Sequence, residues 1–329
     1  MGTGGSCSNM FCPRQLWLAD YAQESIVQIL GHRPQRTLRR PVEISGIGFL
    51  SGDLVSMRLL PGEEDSGIVF RRVDLPGLPE IPAGVRHVTG TARRTTLGHS
   101  PCDVGLVEHV LSALGGMKVD NCVIEVDAAE APGVDGSAGP FVEAIFEAGI
   151  VTQKATRPVM GVERMTCVRA GNATVTLHPT KSTTLTLSYL LDYGSLSPIS
   201  RQMHTMDLSP ENYRAQLAWC RTFLLREEAD ALLQQGLGSK TTLNDLLVFS
   251  RLGVEGNRLR FGNEPARHKM LDLIGDLNLL GFDIAGHLVG CRSGHPLNVE
   301  LARQVLRQQA ESALDPPRIL PLQRLRRAA

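Results

Sequence analysis

The feature that most constrains the fold of this chain is an order of strand and helix patterns that occurs twice. In the first half, strand-like segments such as Leu54–Leu60 precede helix patterns at Leu106–Leu114 and Pro140–Ala148, with a strand pattern at Cys122–Val126 between them. In the second half, strand patterns precede a mostly helical pattern at 208–232, a short strand and two further helices. This repeated order predicts a duplicated α+β unit.

Changes in composition divide the chain into predicted segments. Residues 1–35, with a Gly-, Ser- and Cys-containing start, are predicted to form a poorly ordered N-terminal extension. A first α+β domain is predicted at 36–157, and a second, carrying an insert, at 158–312. The Pro- and Arg-rich residues 313–329 are predicted to be a C-terminal tail.

The charge and the cysteine content argue against several classes of protein. Lys plus Arg and Asp plus Glu both number 34, so the chain lacks the basic excess that a nucleic-acid partner requires. No apolar run reaches the roughly 18 to 20 residues of a transmembrane segment, and the start lacks a signal-peptide pattern. The 7 cysteines include no CxxC pair, which argues against a disulfide framework and a thiolate zinc site. We therefore expect a cytoplasmic protein with a small-molecule partner.

The sharpest chemical signal is a run of polar residues along one predicted helix. Pro265 suits the first turn of this helix, and His268, Asp272 and Asp276 follow one turn apart, so they project from one side. An imidazole and a carboxylate one turn apart can bind the same metal ion. The alternative is a solvated face with an incidental His–Asp pair, so a metal site requires a third ligand.

His109 is a candidate for that third ligand. Glu108 and His109 lie near the start of an otherwise apolar helix pattern, where buried polar side chains need partners. A metal ion would be a partner for His109, and Glu108, about 100° round the helix, could contact a water on the metal. The alternative is that the pair lies at an exposed helix end.

Two histidines and one carboxylate leave a coordination position open for water, which is typical of catalytic zinc. Zinc lowers the pKa of that water and a carboxylate accepts its proton, so hydrolysis of an amide or ester is predicted. The same ligand set also suits Fe²⁺. His295 precedes a helix that begins at Pro296, and Asp276 could keep its ring protonated. A loop histidine without a role is the alternative.

Several motifs occur together in a fixed order between Gln35 and Leu306. They are Val107-Glu108-His109, Asp120-Asn121 through Val126, Val134-Asp135-Gly136-Ser137-Ala138 with Pro140-Phe141-Val142, Arg221-Thr222-Phe223, His268-Lys269-Met270-Leu271-Asp272 with Gly275-Asp276, and Ser293-Gly294-His295 with Leu297-Asn298. In this combination the chain resembles the UDP-3-O-acyl-N-acetylglucosamine deacetylase family of lipid A biosynthesis.

The resemblance implies an α+β fold of two similar domains, each a β-sheet packed on helices, with the active site between them. It implies zinc on His109, His268 and Asp272. Glu108 would be the general base for the attacking water, and His295 the general acid on the departing amine. The implied reaction releases acetate and a free amine.

The resemblance also implies residues that assist this reaction and bind the substrate. Asp276 would hold the imidazole of His295, and Thr222 would donate a hydrogen bond to the oxyanion of the tetrahedral intermediate. Phe223 and Lys269 would contact the sugar and nucleotide side, where Lys269 would meet phosphate.

An insert in the second domain of the family forms an apolar passage for the acyl chain of the substrate. The matching stretch is 224–248, with Leu225, Ala229, Leu237 and Val248 as candidate wall residues. The chain departs from the family at Leu50, where a histidine is usual, and at Leu224, where glycine is usual.

The implied partner is therefore an acylated UDP-amino sugar, and we expect a monomer with no transmembrane segment and at most transient contact with a membrane surface. Two alternatives stay open: a zinc amidase acting on a related sugar nucleotide, and a catalytically silent binding paralogue.

Overall fold

The structure, a computed structural model, describes residues 27–314, with the side chains of the last helix described as far as residue 310. Within this range the strands are β1 (Val27–Leu38), β2 (Val42–Ile47), β3 (Leu54–Pro61), β4 (Ile68–Arg72), β5 (Glu80–Pro82), β6 (Val88–Gly90), β7 (Thr96–Leu97), β8 (Cys122–Val126), β9 (Ile150–Val162), β10 (Thr166–Ala170), β11 (Ala173–His178), β12 (Leu185–Leu191), β13 (Gln202–Asp207), β14 (Phe223–Leu225), β15 (Leu247–Ser250), β16 (Gly253–Val254), β17 (Asp283–Ile284) and β18 (Gly286–Cys291). The α-helices are α1 (Glu108–Gly116), α2 (Gly139–Ala148), α3 (Pro210–Gln216), α4 (Arg226–Gln234), α5 (Glu264–Asn278) and α6 (His295–Leu314).

Two five-stranded sheets share one topology. The first has the order β2-β3-β8-β4-β5 and the second the order β10-β11-β18-β12-β13. In each sheet the central strand is parallel to one of its two neighbours and every other pair is antiparallel. The parallel pairs are β8 with β4 and β18 with β12. Each sheet therefore belongs to a unit of four strands, a helix, a fifth strand and a final helix, which confirms the predicted pair of similar α+β domains.

Alternation along the strands separates the core from the solvent face of each sheet. In β3, Val55, Met57 and Leu59 are fully buried, whereas the residues between them are more exposed. On the outer face of the first sheet, cross-strand neighbours alternate in charge across all five strands. This row consists of Glu43, Arg58, Glu125, Arg71 and Glu80.

The equivalent helices α1 and α5 of the two units pack against each other at the centre of the protein. Gly275 permits this contact, since a Cβ there would lie 2.1 Å from the backbone oxygen of Glu108. The Ser112 hydroxyl donates to the backbone oxygen of Leu271 over 2.7 Å and accepts from Tyr213 over 2.8 Å. This packing fixes the position of the polar residues of α1 relative to those of α5.

The predicted domain boundaries at residues 35 and 157 both fall inside long strands. The sequence predicts that residues 27–35 belong to the poorly ordered extension, but they form most of β1, which pairs with β9. Strand β9 continues through the predicted boundary at 157, and β17 completes a third sheet. Strand β1 could not be predicted from the sequence, because Arg33 and Pro34 interrupt its apolar pattern. Arg33 gains its ion pairs with Asp120 and Asp283 only in the folded chain.

Residues 1–26 of the predicted extension and residues 315–329 of the predicted tail lie outside the described residues, while α6 extends through the predicted boundary at 312 to Leu314. None of the helices in the described part of the chain combines the length and the apolar composition needed to cross a membrane.

The segment 208–232, predicted to be mostly helical, is instead divided by strand β14 into α3 and α4. Strand β14 is extended because it forms a parallel ladder with β15. Just before it, the buried guanidinium of Arg221 binds the buried carboxylate of Glu264 at the start of α5 over 2.9 Å. This ion pair holds the beginning of the insert against the helix that carries His268.

Candidate active site

Three predicted metal ligands lie together between the two units. His109 comes from α1, and His268 and Asp272 come from one face of α5; all three are buried. Asp272 Oδ1 lies 3.3 Å from His268 Nε2 and 3.7 Å from His109 Nε2. The ligand atoms of the three side chains lie within 4.8 Å of one another, so one metal ion can contact all of them.

The unsatisfied atoms of this group fit a cation. His268 Nδ1 lies 3.0 Å from the backbone oxygen of Cys220. Because that oxygen can only accept, the proton belongs on Nδ1, and Nε2 keeps its lone pair toward Asp272. Within residues 27–314, the buried Oδ1 of Asp272 has no hydrogen-bond donor, whereas its Oδ2 accepts from Lys269 over 2.9 Å. A buried carboxylate oxygen without a donor, beside the Nε2 atoms of two imidazoles, is the arrangement expected at a zinc site.

Burial sets the charge state of these ligands. Desolvation, reinforced by the charge of His268, lowers the pKa of His109 to about 3. Desolvation also lowers the pKa of His268. Burial alone would raise the pKa of Asp272, but its electrostatic attraction to the neighbouring His268, Lys269 and His295 side chains outweighs burial and lowers that pKa. The group therefore consists of neutral imidazoles and an ionised carboxylate, the forms that bind a metal ion.

Glu108, at the first position of α1, lies beside this group and is itself buried. Its Oε2 accepts the backbone N–H of Thr95 over 3.0 Å. Desolvation, opposed by the charge of His295 and reinforced by those of Asp272 and Asp276, raises the pKa of Glu108 to about 7. A carboxyl with a pKa near neutrality can accept and release a proton at the same pH, as a general base requires.

His295, the first residue of α6, also lies beside the group. Its Nδ1 lies 2.8 Å from Asp276 Oδ2, and the same oxygen accepts the side-chain N–H of Asn298 over 2.9 Å. Its Nε2 lies 3.8 Å from Glu108 Oε1 and 3.9 Å from Asp272 Oδ2. Desolvation would lower the pKa of His295, but the charges of Asp276 and Glu108 outweigh it and raise that pKa to about 9. The ring is therefore held protonated, with Nε2 directed toward Glu108 and Asp272.

The predicted sugar-side residues border the same centre. The ring of Phe223 lies 6.2 Å from that of His268, edge to face, and 6.1 Å from that of Tyr193. Lys269 Nζ lies 5.7 Å from the centre of the Phe223 ring, within the range of a cation–π contact. Aromatic and cationic groups are thus combined where a nucleotide could bind.

An apolar cavity of about 430 Å³ adjoins Thr222 and is bounded by both units. Phe49 and Leu106 line it from the first unit, and Leu224, Leu232, Leu243 and Leu246 line it from the insert. The predicted wall residues Ala229, Leu237 and Val248 also line it.

Leu225 does not line this cavity, contrary to the sequence prediction. Alternate side chains of β14 point to opposite faces, so that Leu224 faces the cavity while Leu225 packs against the hydrophobic core.

Thr95 and Asn298 are polar residues of the site for which sequence analysis predicted no role. The Thr95 hydroxyl donates to Asp276 Oδ1 over 2.6 Å, and its backbone N–H binds Glu108. Thr95 thus forms hydrogen bonds with both Asp276, which contacts His295, and Glu108, which lies beside the metal-ligand group. A threonine outside any helical spacing gives no pattern to detect, whereas Asn298 was visible as part of the last motif.

Comparisons with known proteins agree with this geometry. A family model described as "UDP-3-O-acyl N-acetylglycosamine deacetylase" matches residues 35–307. Proteins named UDP-3-O-acyl-N-acetylglucosamine deacetylase are similar along most of their length. That of Chlamydia felis (strain Fe/C-56) is 38% identical over 277 residues, covering 84% of this chain and 98% of the relative. That of Alcanivorax borkumensis is 37% identical over 276 residues, covering 84% and 90%. The chain therefore belongs to the UDP-3-O-acyl-N-acetylglucosamine deacetylase family.

Proposed function

We propose that the protein hydrolyses the N-acetyl group of UDP-3-O-acyl-N-acetylglucosamine in a zinc-dependent reaction, as a cytoplasmic step of lipid A biosynthesis. The observation that carries this proposal is the convergence of His109, His268 and Asp272 with Glu108 and His295 at the contact of α1, α5 and α6. An acid and a base beside a metal-ligand group are the parts that amide hydrolysis needs.

His109, His268 and Asp272 would hold the ion. When bound, zinc polarises the acetyl carbonyl and lowers the pKa of a coordinated water. The same ligands also suit Fe²⁺, so the metal is identified by elemental analysis of the purified protein. The contact of His268 Nδ1 with the Cys220 carbonyl keeps the ring oriented for either ion.

Glu108 and His295 move the protons in this proposal. Glu108 accepts a proton from the water that attacks the acetyl carbonyl, and His295 donates its Nε2 proton to the nitrogen that leaves. Asp276 accepts a hydrogen bond from Nδ1 of His295, which keeps the imidazolium oriented and favours its charged form. One proton is accepted and one is donated, so acetate and a free amine are formed.

Thr222, Phe223 and Lys269 position the substrate. Thr222, which lines the cavity, donates a hydrogen bond to the developing oxyanion. Phe223 and Lys269 bind the sugar and nucleotide side. The apolar cavity takes the acyl chain, where each buried methylene contributes roughly 0.8 kcal/mol.

The test is release of the free amine from UDP-3-O-acyl-N-acetylglucosamine by the purified protein, with a chelator and with zinc added back. We expect turnover that is lost to the chelator and restored by zinc. A zinc-loaded protein that does not turn over this substrate would contradict the proposal and favour another sugar nucleotide or a binding role.

A further inference from the structure

One cation in the wall of the apolar cavity has no acidic partner. Three arginines line the cavity: Arg93, Arg94 and Arg226. Arg93 pairs with Glu228 over 3.4 Å, and Arg226 pairs with Glu255 and with Asp230. The guanidinium of Arg94, by contrast, forms no hydrogen bond or ion pair with any residue of the described range 27–314.

Arg94 links the wall of the cavity to the residues of the proposed chemistry. It directly precedes Thr95, whose backbone N–H binds Glu108 and whose hydroxyl binds Asp276. A Cβ on Gly105 would lie 3.2 Å from Arg94 Nε, so the side chain passes over Gly105. The next residue, Leu106, also lines the cavity.

Arg94 is half-buried, and a guanidinium beside apolar side chains is costly unless an acceptor reaches it. Guanidinium has five N–H donors and no acceptor, so its partner must supply oxygen atoms. In the proposed substrate, the ester that joins the acyl chain to the sugar is the oxygen-containing group at the head of that chain. It is attached to the ring carbon next to the one that bears the acetamide. With the acetamide beside Glu108 and the acyl chain in the cavity, the ester lies between the two, where Arg94 joins the cavity wall to Thr95 and its contact with Glu108.

We propose that Arg94 is a specificity-determining residue that hydrogen-bonds the ester oxygens of the 3-O-acyl group and so selects acylated over unacylated UDP-amino sugars. This inference rests on the proposed function. The pyrophosphate is a less suitable partner, because Lys269, the proposed phosphate contact, lies over the ring of Phe223, and neither of these residues lines the cavity.

The test compares Arg94→Met with the wild-type protein on the acylated UDP-sugar and on UDP-N-acetylglucosamine, which lacks the acyl group. Both equilibrium binding and turnover of the zinc-loaded protein are measured. We expect Arg94→Met to weaken binding of the acylated compound and lower its kcat/KM by about 10- to 100-fold, the range for losing a hydrogen bond to a charged group. Values for UDP-N-acetylglucosamine should stay within about twofold, since that compound has no ester.

Arg93→Met is the matched control, because Arg93 lines the same cavity but has Glu228 as a partner. It should change the ratio between the two compounds by less than about threefold. Equal losses on both compounds in Arg94→Met, no loss on either, or an equal effect of Arg93→Met would each overturn the inference. Binding of the acylated compound is measured independently of catalysis, so absent turnover in the wild type would count against the proposed function alone.

Discussion

Glu108 shows how one side chain is prepared for its proposed role by its surroundings. It is buried at the start of α1, a position that also favours negative charge, and its Oε2 is held by the Thr95 backbone. The substitution Glu108→Gln keeps the shape and removes the basic oxygen. We expect kcat to fall by about a hundred- to ten-thousand-fold while one zinc stays bound, measured by amine release and by elemental analysis. Loss of zinc in this variant would show that Glu108 is a ligand instead.

Thr95 permits a second prediction at the residue scale. Its hydroxyl donates to Asp276, which in turn contacts His295, so Thr95 acts through the proposed acid as a positioning residue. In Thr95→Val the backbone N–H to Glu108 is kept and only the hydroxyl is lost. We expect about a tenfold fall in kcat with KM and zinc content unchanged, because the substrate and the ion are not contacted.

The neighbouring substitution Thr96→Val is the control, because Thr96 is half-buried beside Gly90 and Gly105 and has no role in the proposed chemistry. It should leave kcat within about twofold of the wild type. An increase in KM without a change in kcat for Thr95→Val would contradict the positioning role.

Among the elements, the short strand β17 joins the third sheet through a partly buried charge cluster. Asp283 in β17 accepts from Arg33 in β1 over 2.8 Å, from Arg157 in β9 over 3.0 Å and from Lys118 after α1 over 2.9 Å. Asp283→Asn would leave Lys118 without a carboxylate partner and Arg33 and Arg157 with Asp120 alone, and we expect a loss of about 3 kcal/mol in the free energy of unfolding, measured by denaturant titration. The exposed pair of Glu300 with Arg307 is the control, since Glu300→Gln should cost less than about 1 kcal/mol.

The effect of Asp283 should depend on pH. Burial alone would raise the pKa of its carboxyl, but the hydrogen bond from Arg33 and the charges of Lys118, Arg33 and Arg157 hold that pKa well below the ordinary value of 3.8. A carboxyl with a lower pKa in the folded state stabilises the fold above its unfolded pKa and loses that contribution as the pH falls. The difference between wild type and Asp283→Asn should therefore be largest at neutral pH and should shrink below about pH 4. A difference that grows in acid would contradict this reading.

The sequence predicted those parts of the structure that depend on interactions between residues close together in the chain. The helices carrying His268, Asp272 and Asp276 or Glu108 and His109 were predictable because helical spacing places neighbouring turns on one face. Strand β1 was not, because Arg33 is tolerated there only through carboxylates far along the chain. Strand β14 was missed for the same reason: its extended form depends on pairing with β15, outside its own segment.

At the scale of the whole molecule, duplication explains where the site lies. The two units share one topology, and their equivalent helices α1 and α5 meet at the centre. The sequence predicted the two units from their element order, and the family resemblance placed a site between them. Neither the element order nor the resemblance could predict that Arg94 and Leu106 of one unit share a cavity with the insert of the other, because that contact depends on how the units dock.

Because the proposed ligands come from both units, the metal should stabilise the whole protein in one step. His109 belongs to the first unit, and His268 and Asp272 belong to the second, so an ion that binds only the folded chain holds the units together. Zinc at a hundredfold excess over its Kd contributes about 2.7 kcal/mol, which raises Tm by roughly 5 °C for a protein of this size. We expect one thermal transition that moves up with zinc and down with a chelator, in calorimetry of the full chain. His109→Ala should abolish the shift, whereas replacement of the exposed His99 by Ala should preserve it. A shift confined to one of two separate transitions would mean that the ion is bound by a single unit, and that the ligand set drawn from both is wrong.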